Sequence, residues 1–276
     1  MTAKPMDLWD ASSFDPELTA ILADHANMLA AFIRAQAMID QEDAAHRRPT
    51  MRRSNPYWDD HHRLETMLDQ ILRSRVVRAW HYTRLTDAEV ATIVDQGLVL
   101  STAASLRDRL DRQERNGALT ADQVAALLAA SPLNAAPSAA RDNQICAAGY
   151  PLPVTHGVVA DFLRYWGGEV ASMHLVNDDP LLAVLQAIGR PRVLELALPL
   201  GTLRPGTSLG KAAIAAFAHA NGIDYEAFMP DLFALEPVGP EAVLNVHTED
   251  ENGYSGLGHT YPVRTKGTLA GRLIGG

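Results

Sequence analysis

Apolar residues in the first 75 positions recur at three- and four-residue spacing, which is the period of an amphipathic helix. Asp15 and Pro16 stand at the N-cap and first position of one such helix. A second helix is predicted over about residues 58–75, beyond a polar, Arg- and Pro-containing break at residues 46–56. The pattern therefore predicts a helical N-terminal extension over residues 1–75, outside the rest of the fold.

The pattern changes after this extension, where short extended runs alternate with capped helical segments. Thr86 and Glu89 match a capping box at the start of one helix, and Gly97 ends it. Further helices are predicted within residues 101–140, as an insertion between the first two core strands. The other predicted helices lie near residues 158–165, 180–189 and 211–221. Extended runs are predicted near residues 76–79, 98–100, 144–150, 170–175, 192–199, 223–228 and 243–247.

Size and composition fit one large domain, or one domain with a helical extension. The chain has 276 residues, of which 47% are hydrophobic and 6% aromatic, so we expect a core of aliphatic side chains. The single cysteine, Cys146, excludes an internal disulfide and a cysteine-based zinc site, and its apolar surroundings predict a buried, inert thiol. Without a signal peptide or an apolar run of about 18 residues, the sequence predicts a cytoplasmic protein with no membrane contact.

The net charge of −9 at pH 7 disfavours general binding to phosphate backbones. The arginines are nevertheless clustered in three short stretches. These are Arg47, Arg48, Arg52 and Arg53; Arg73, Arg75 and Arg78; and Arg107, Arg109, Arg112 and Arg115. The clusters are compatible with a local basic groove, and also with solvated helix faces and an arginine-rich connector.

Two acidic, histidine-containing stretches raise the question of a metal site, and neither supports one. Residues 59–62 (Asp-Asp-His-His) lie on a predicted helix, where adjacent side chains point to different faces and cannot meet one ion. His247, Glu249, Asp250 and Glu251 are better explained as an acidic loop. The chain has no P-loop, Gly-x-Gly-x-x-Gly, Gly-x-Ser-x-Gly or His-Glu-x-x-His motif, which removes the common nucleotide, hydrolase and zincin interpretations.

A polar cluster of His81, Tyr82 and Thr83 follows the first extended run. At the end of a strand, these side chains would leave the sheet edge and face a ligand. The alternative is a core histidine bonded to a carbonyl group, with Tyr82 simply packing. The strand, the polar cluster, the short helix and the second run before Ser101 together resemble the opening of the ADP-ribosyltransferase fold, especially its DNA- and RNA-directed branches. The resemblance extends over roughly residues 76–250.

This resemblance implies an α+β fold with an ADP-ribosyltransferase-like split β-sheet core. In this chain the core would belong to a catalytic-type domain at residues 76–276. That domain would carry the helical insertion at residues 101–140 and follow the helical extension at residues 1–75. The resemblance also implies NAD as the substrate and no metal cofactor.

The resemblance assigns an NAD-binding set to the first half of this domain. His81 would hydrogen-bond a ribose hydroxyl of NAD while the neighbouring backbone holds the nicotinamide amide, and Thr83 would support that loop. Ser101, at the end of the second extended run, belongs to the same set. Arg141, just before a predicted strand, would pair with the phosphates of NAD in a bidentate manner.

One stretch departs from the pattern of the family. Cys146 and Ala147 stand where many members carry aromatic or hydroxyl residues. The surface that stacks on the nicotinamide ring would then come from Tyr82 or Tyr165, and both tyrosines are included in the expected NAD-binding set.

A glutamate after two glycines is the second candidate for the chemistry. Gly167 and Gly168 allow a tight turn that would present Glu169 at the start of the next extended run. A carboxylate there, beside aromatic residues, would stabilise a ribosyl cation and accept a proton from the attacking group. A solvent-exposed glutamate after a helix stop is the alternative. The glutamate of the family normally lies on a late core strand, so Glu195 and Glu249 are other candidates for the role.

The leading hypothesis is therefore a mono-ADP-ribosyltransferase-like enzyme that cleaves the nicotinamide–ribose bond of NAD. A protein or nucleic-acid acceptor, or water, would take the ADP-ribosyl group, with His81 and Glu169 as the catalytic residues. Two alternatives stay open. One is a non-enzymatic protein that binds a partner on a degenerate transferase fold, and the other is a metal-independent hydrolase or lyase that uses His81 and Glu169 on a small molecule.

Overall fold

The computed structural model describes residues 4–45, 54–134, 142–177, 179–223, 225–226 and 229–259. Within these ranges, a mixed α+β structure is built on one six-stranded antiparallel sheet. Its strands are β1 (Val76–Leu85), β2 (Ile145–Ala148), β3 (Arg190–Pro199), β4 (Leu203–Pro205), β5 (Asp231–Ala234) and β6 (Val243–Thr248), in the order β4-β5-β2-β1-β3-β6 across the sheet.

The α-helices of the described ranges precede, interrupt and flank this sheet. They are α1 (Pro16–Asp24), α2 (Ala26–Ala45), α3 (Trp58–Leu72), α4 (Asp87–Gln96), α5 (Ala103–Arg115), α6 (Ala121–Ala130), α7 (Gly157–Arg164), α8 (Glu169–Ser172), α9 (Pro180–Ala187) and α10 (Leu209–Ala220). Among the described residues, no helix has both the length and the apolar character needed to cross a membrane.

Local sequence signals determine where several helices begin. The Asp15 side chain accepts the Leu18 backbone N–H at 2.9 Å at the start of α1, as expected of an N-cap. Thr86 and Glu89 form a reciprocal capping box at the start of α4, and Gly97 follows its last residue with a φ of 86°. The helices predicted in the insertion and after β2 are confirmed in type, with ends that differ by a few residues. The helix predicted to begin at Asp15 is divided at His25 into α1 and α2.

Two predictions about the extended runs are wrong. The first run continues to Leu85 because β1 pairs with β3 along its full length, so His81 lies in the middle of a central strand and not at its end. Residues 170–175 were expected to be extended, but α8 occupies their start. The backbone N–H groups of Ser172 and Met173 return to the carbonyl groups of the preceding turn and close this short helix.

The predictions for two shorter extended runs are also wrong. The described residues of 223–228 form no strand, and the strand of this region, β5, begins after them. Residues 98–100 contribute only an isolated bridge, between Leu98 and Val238. Both differences have the same reason, since a short strand is stabilised by its partner rather than by its own residues.

The sheet buries different side chains on its two faces, because successive residues of a strand point to opposite sides. Val77 and Ala79 of β1 lie in one apolar cluster with side chains of α1, α3 and α10. Trp80 and Tyr82 lie in a second cluster with side chains of α7. A third cluster, around Trp166, joins the insertion helices α5 and α6 to α8 and α9.

The N-terminal helices share the first cluster with the sheet. Leu18 of α1 and Leu64 of α3 are at most 2% exposed and belong to the same core as β1 and β3. Met6 adds a parallel bridge beside β1, where its N–H donates to Val76 and its carbonyl accepts from Arg78, both at 2.9 Å. The domain boundary predicted after α3 stays a prediction, and the shared core shows that the helices before it contact the sheet.

His61 of α3 contacts both helix α2 and the segment that follows α10. Its ring is 4% exposed and stacks on Phe32 of α2 with 3.9 Å between ring centroids, while Nε2 lies 3.1 Å from the Tyr225 hydroxyl. Burial lowers the pKa of His61 below its ordinary value of 6.5, and Lys211 adds to this effect while Glu65 opposes it. The imidazole is therefore neutral in the folded protein at neutral pH.

This buried histidine should make the stability of the fold depend on pH. Because the unfolded chain takes up a proton on this side chain more readily than the folded chain, the free energy of unfolding should fall as the pH drops below 6.5. We expect a smaller acid-induced loss in His61→Gln than in the wild type, measured by urea titration between about pH 8 and pH 5. His62→Gln changes the exposed neighbour and should keep the wild-type slope. Identical slopes in all three proteins would contradict the inference.

Candidate active site

A cleft with a volume of about 490 Å³ lies between β1, β2 and the helical insertion. Its lining includes His81 and Thr83 of β1, Cys146 of β2, and side chains from α4 and α5. Residues 97–101 and 167–170 complete it. A concave surface with an apolar lining and a few charged groups is typical of a small-molecule site.

The cleft lies where β1 and β2 separate. The ladder between these strands consists of one residue pair, Trp80 opposite Ala148. At the next residue of β1, the Nδ1 atom of His81 lies 2.7 Å from the Cys146 carbonyl oxygen. An imidazole side chain therefore bonds an acceptor of β2 beside the point where the backbone pairing stops.

This contact determines which nitrogen of His81 carries the proton. A carbonyl oxygen can only accept a hydrogen bond, so Nδ1 must be the donor. Burial lowers the pKa of His81, and the nearby Arg109 adds to the shift, while the bond to Cys146 opposes it. The neutral tautomer then has a lone pair on Nε2, which forms no hydrogen bond with any residue that the structure describes. His81 thus offers an acceptor to a ligand.

Tyr82 lines the cleft and also has a structural role. Its hydroxyl accepts the Leu152 N–H at 2.5 Å and donates to the Leu152 carbonyl at 2.9 Å, which fixes the segment after β2 to the face of β1 opposite His81. The residue is 7% exposed and packs in the cluster with α7. Packing is thus one role of Tyr82, and its expected place beside the nicotinamide stays a prediction.

Of the other residues expected to bind NAD, some line the cleft and others do not. Thr83 and Ser101 line the cleft, and Ser101 bridges to Gln144 at the start of β2. Tyr165 follows the last residue of α7 and packs against the cluster around Trp166. The Arg164 guanidinium carbon lies 5.1 Å from the centroid of its ring, and Tyr165 does not line the cleft. Arg141 lies outside the described residues.

The prediction for Cys146 is wrong. The side chain is exposed and lines the cleft, although its neighbours Ile145 and Ala147 are buried. Alternation along β2 explains the difference, since the two neighbours point into the main core while Cys146 points to the other face of the sheet. An apolar run in a short strand does not show by itself which side chain faces a cavity.

Glu169 shares the cleft with His81, as predicted from the two-glycine turn. Gly167 and Gly168 have φ values of 82° and 58°, and a Cβ atom on Gly167 would lie 2.6 Å from that of Ala171, so the turn requires glycine there. The turn presents Glu169 as the first residue of α8 and not at the start of an extended run, which corrects the local structure expected for this carboxylate.

The two alternative carboxylates lie away from the cleft. Glu195 of β3 lies 3.0 Å from Nε2 of His247 and forms an ion pair with Arg78. The hydrogen bond from His247 lowers the pKa of Glu195, and Arg78 adds to this effect against the opposing influence of burial. Glu249 is exposed after β6. Neither carboxylate lines the cleft, so Glu169 is the one of the three that shares it with His81.

A buried network connects the wall of the cleft to the turn before Glu169. Glu89 of α4 accepts hydrogen bonds from Nε of Arg109 and from Nε1 of Trp166, both at 2.8 Å, in addition to its bonds with Thr86. The Arg109 guanidinium lies 4.6 Å from the Trp166 ring centroid. Burial opposes ionisation of Glu89, but Arg109, the Thr86 N–H and Trp166 together outweigh it and lower the pKa of this carboxyl.

Sequence reasoning identified Glu89 only as a capping residue and missed this network. One signal was available: Ser105, Asp108, Arg109 and Arg112 have the spacing of a single helix face, and all four line the cleft. No local pattern connects Glu89 to Trp166, because 77 positions separate them. Tertiary structure alone places this capping box against the turn.

Neither groups of metal-ligating side chains nor comparisons with known proteins indicate a function. Among the residues that the structure describes, no group of three or more histidine, cysteine, aspartate or glutamate side chains could hold a metal ion. No protein-family model, curated protein or solved structure matches the chain. The geometry of the cleft is therefore the basis on which a function can be proposed.

The network predicts that Glu89 contributes to stability beyond its role as a cap. Glu89→Gln keeps an oxygen for the Thr86 N–H but leaves the partly buried Arg109 without its carboxylate partner. We expect the free energy of unfolding to fall by roughly 2 kcal/mol, measured by chemical denaturation. Glu114→Gln makes the same chemical change at an exposed position of α5 and should have little effect. Equal stability of the two variants would show that the network contributes nothing.

Proposed function

We propose that the protein binds NAD in this cleft and cleaves its nicotinamide–ribose bond. The ADP-ribosyl group passes to a protein or nucleic-acid acceptor, or to water, as in mono-ADP-ribosyltransferases. The observation that carries the proposal is the position of His81. Its Nδ1 atom bonds the Cys146 carbonyl beside the opening between β1 and β2, its Nε2 atom bonds no residue of the described ranges, and it lines the same cleft as Glu169.

The architecture around the cleft supports the proposal. The resemblance in sequence implies a split β-sheet core, and the pairing of β1 with β2 beside the cleft is confined to one residue pair. The helix that follows β1 and the residues that end at Ser101 both line the site. Three features on which the resemblance in sequence rests thus line one cleft, which supports the proposal.

The described side chains can account for the chemistry. When the bond between ribose C1′ and the nicotinamide nitrogen breaks, its electron pair neutralises the pyridinium nitrogen and nicotinamide leaves. Positive charge develops on the ribose, and the Glu169 carboxylate stabilises it. Glu169 then takes the proton of the attacking group as the new bond to C1′ forms. His81 accepts a hydrogen bond from a ribose hydroxyl through Nε2 and holds the sugar in place.

Nicotinamide release from NAD by the purified protein tests this function. Glu169→Gln keeps the size of the side chain but removes its charge and its proton affinity, so NAD affinity should stay close to the wild-type value while turnover falls roughly 10²–10³-fold. His81→Ala should weaken NAD affinity itself, because it removes the acceptor for the ribose. Calorimetry measures the affinity, and chromatography measures the nicotinamide.

Glu249→Gln provides the matched control, since it makes the same change at an exposed carboxylate away from the cleft and should leave both quantities unchanged. Wild-type turnover in Glu169→Gln would refute the role of Glu169. An absence of nicotinamide release from the wild type, with intact folding, would refute the enzyme hypothesis and favour the partner-binding alternative.

A further inference from the structure

One face of α5 presents a row of polar side chains to the cleft. Ser105, Asp108, Arg109 and Arg112 are separated by three or four residues, so they lie along one side of the helix. The two arginines are one helical turn apart at the end of this row. This helix belongs to the insertion, and neither arginine has a role in the function proposed above.

Arg109 is held rigidly by its protein contacts. Its guanidinium stacks on Trp166, which is fully buried, and its Nε donates to Glu89. Its Nη2 atom is buried and has no hydrogen-bond partner among the described residues. Because this nitrogen has almost no accessible surface, a ligand in the cleft would meet the other edge of the guanidinium. The stacking and the bond to Glu89 thus fix the orientation of a cation in the lining of the cleft.

Arg112 is the more accessible member of the pair. Its side chain is exposed, lines the cleft and forms no ion pair with any residue of the described ranges. Arginine presents planar, paired donors that match two oxygen atoms of one phosphate or carboxylate. Arg112 can thus add a second set of donors beside the fixed guanidinium of Arg109.

The charges of the cleft fit a ligand that carries both signs. Glu89 is paired with Arg109, and the other charged side chains of the lining are Arg112, Asp108 and Glu169. The lining therefore contains groups of both signs. NAD has a cationic nicotinamide ring and an anionic diphosphate, so it can place its positive end near a carboxylate and its negative end at the arginines.

We propose that Arg112, together with the fixed Arg109, forms the subsite for the diphosphate of the substrate, with Arg112 as its main determinant. The inference rests on the proposed function for the identity of the substrate. It assigns to the helical insertion a role in selecting dinucleotides with a diphosphate over nucleosides without one.

Binding of ADP-ribose and of adenosine tests the subsite without any turnover. Both ligands contain adenine and ribose, and only ADP-ribose contains the diphosphate. We expect Arg112→Gln to lower the affinity for ADP-ribose roughly 10- to 100-fold and to leave that for adenosine unchanged, measured by calorimetry. Arg112→Lys should restore part of the loss, since it keeps the charge without the planar donors. Arg107→Gln alters an exposed arginine of the same helix outside the cleft and should behave as the wild type.

The outcomes separate this subsite from the proposed reaction. Unchanged ADP-ribose affinity in Arg112→Gln, or no ADP-ribose binding by the folded wild type, would overturn the subsite whether or not nicotinamide is released. Arg112-dependent binding of ADP-ribose without any nicotinamide release would support the subsite and overturn the proposed reaction.

Discussion

The interruption of the sheet between β1 and β2 is the constraint on which the site depends. β1 pairs with β3 along all of its residues, but with β2 only where Trp80 faces Ala148. Beside this pair, Nδ1 of His81 donates a hydrogen bond to the Cys146 carbonyl, so a side chain connects the two strands where the backbone ladder stops. The same hydrogen bond fixes the tautomer of His81, which leaves an acceptor on Nε2 that bonds no residue of the described ranges. One contact therefore connects the structure of the opening to its proposed chemistry.

On the opposite wall of the cleft, one side chain also has two roles. Glu89 caps α4 and also binds Arg109 of the insertion and Trp166 before the two-glycine turn. Because this carboxylate joins three segments that are distant in sequence, the position of Glu169 relative to the sheet depends on it. Charged groups in such a partly buried place are costly unless each is paired, and here the stacking of Arg109 on Trp166 and the four donors to Glu89 meet that requirement.

Sequence reasoning succeeded where the determining interactions are local. Helix starts such as Thr86 depend on contacts within one turn. His81 and Glu169 were singled out from short motifs around them, and both line the cleft, while their roles stay predictions. The strands β4 and β5, of three and four residues, were missed because they exist only through pairing with distant segments. The exposure of Cys146 and the second role of Glu89 were missed for the same reason, since each depends on residues far away in the chain.

The central claim is that the opening beside His81 holds the nicotinamide end of NAD. A crystal structure of the protein with a non-cleavable NAD analogue tests this claim most directly. We predict a ribose hydroxyl about 2.6–3.2 Å from Nε2 of His81, with the ribose C1′ next to the Glu169 carboxylate. An analogue bound elsewhere on the protein, or one whose ribose lies away from both side chains, would contradict the claim.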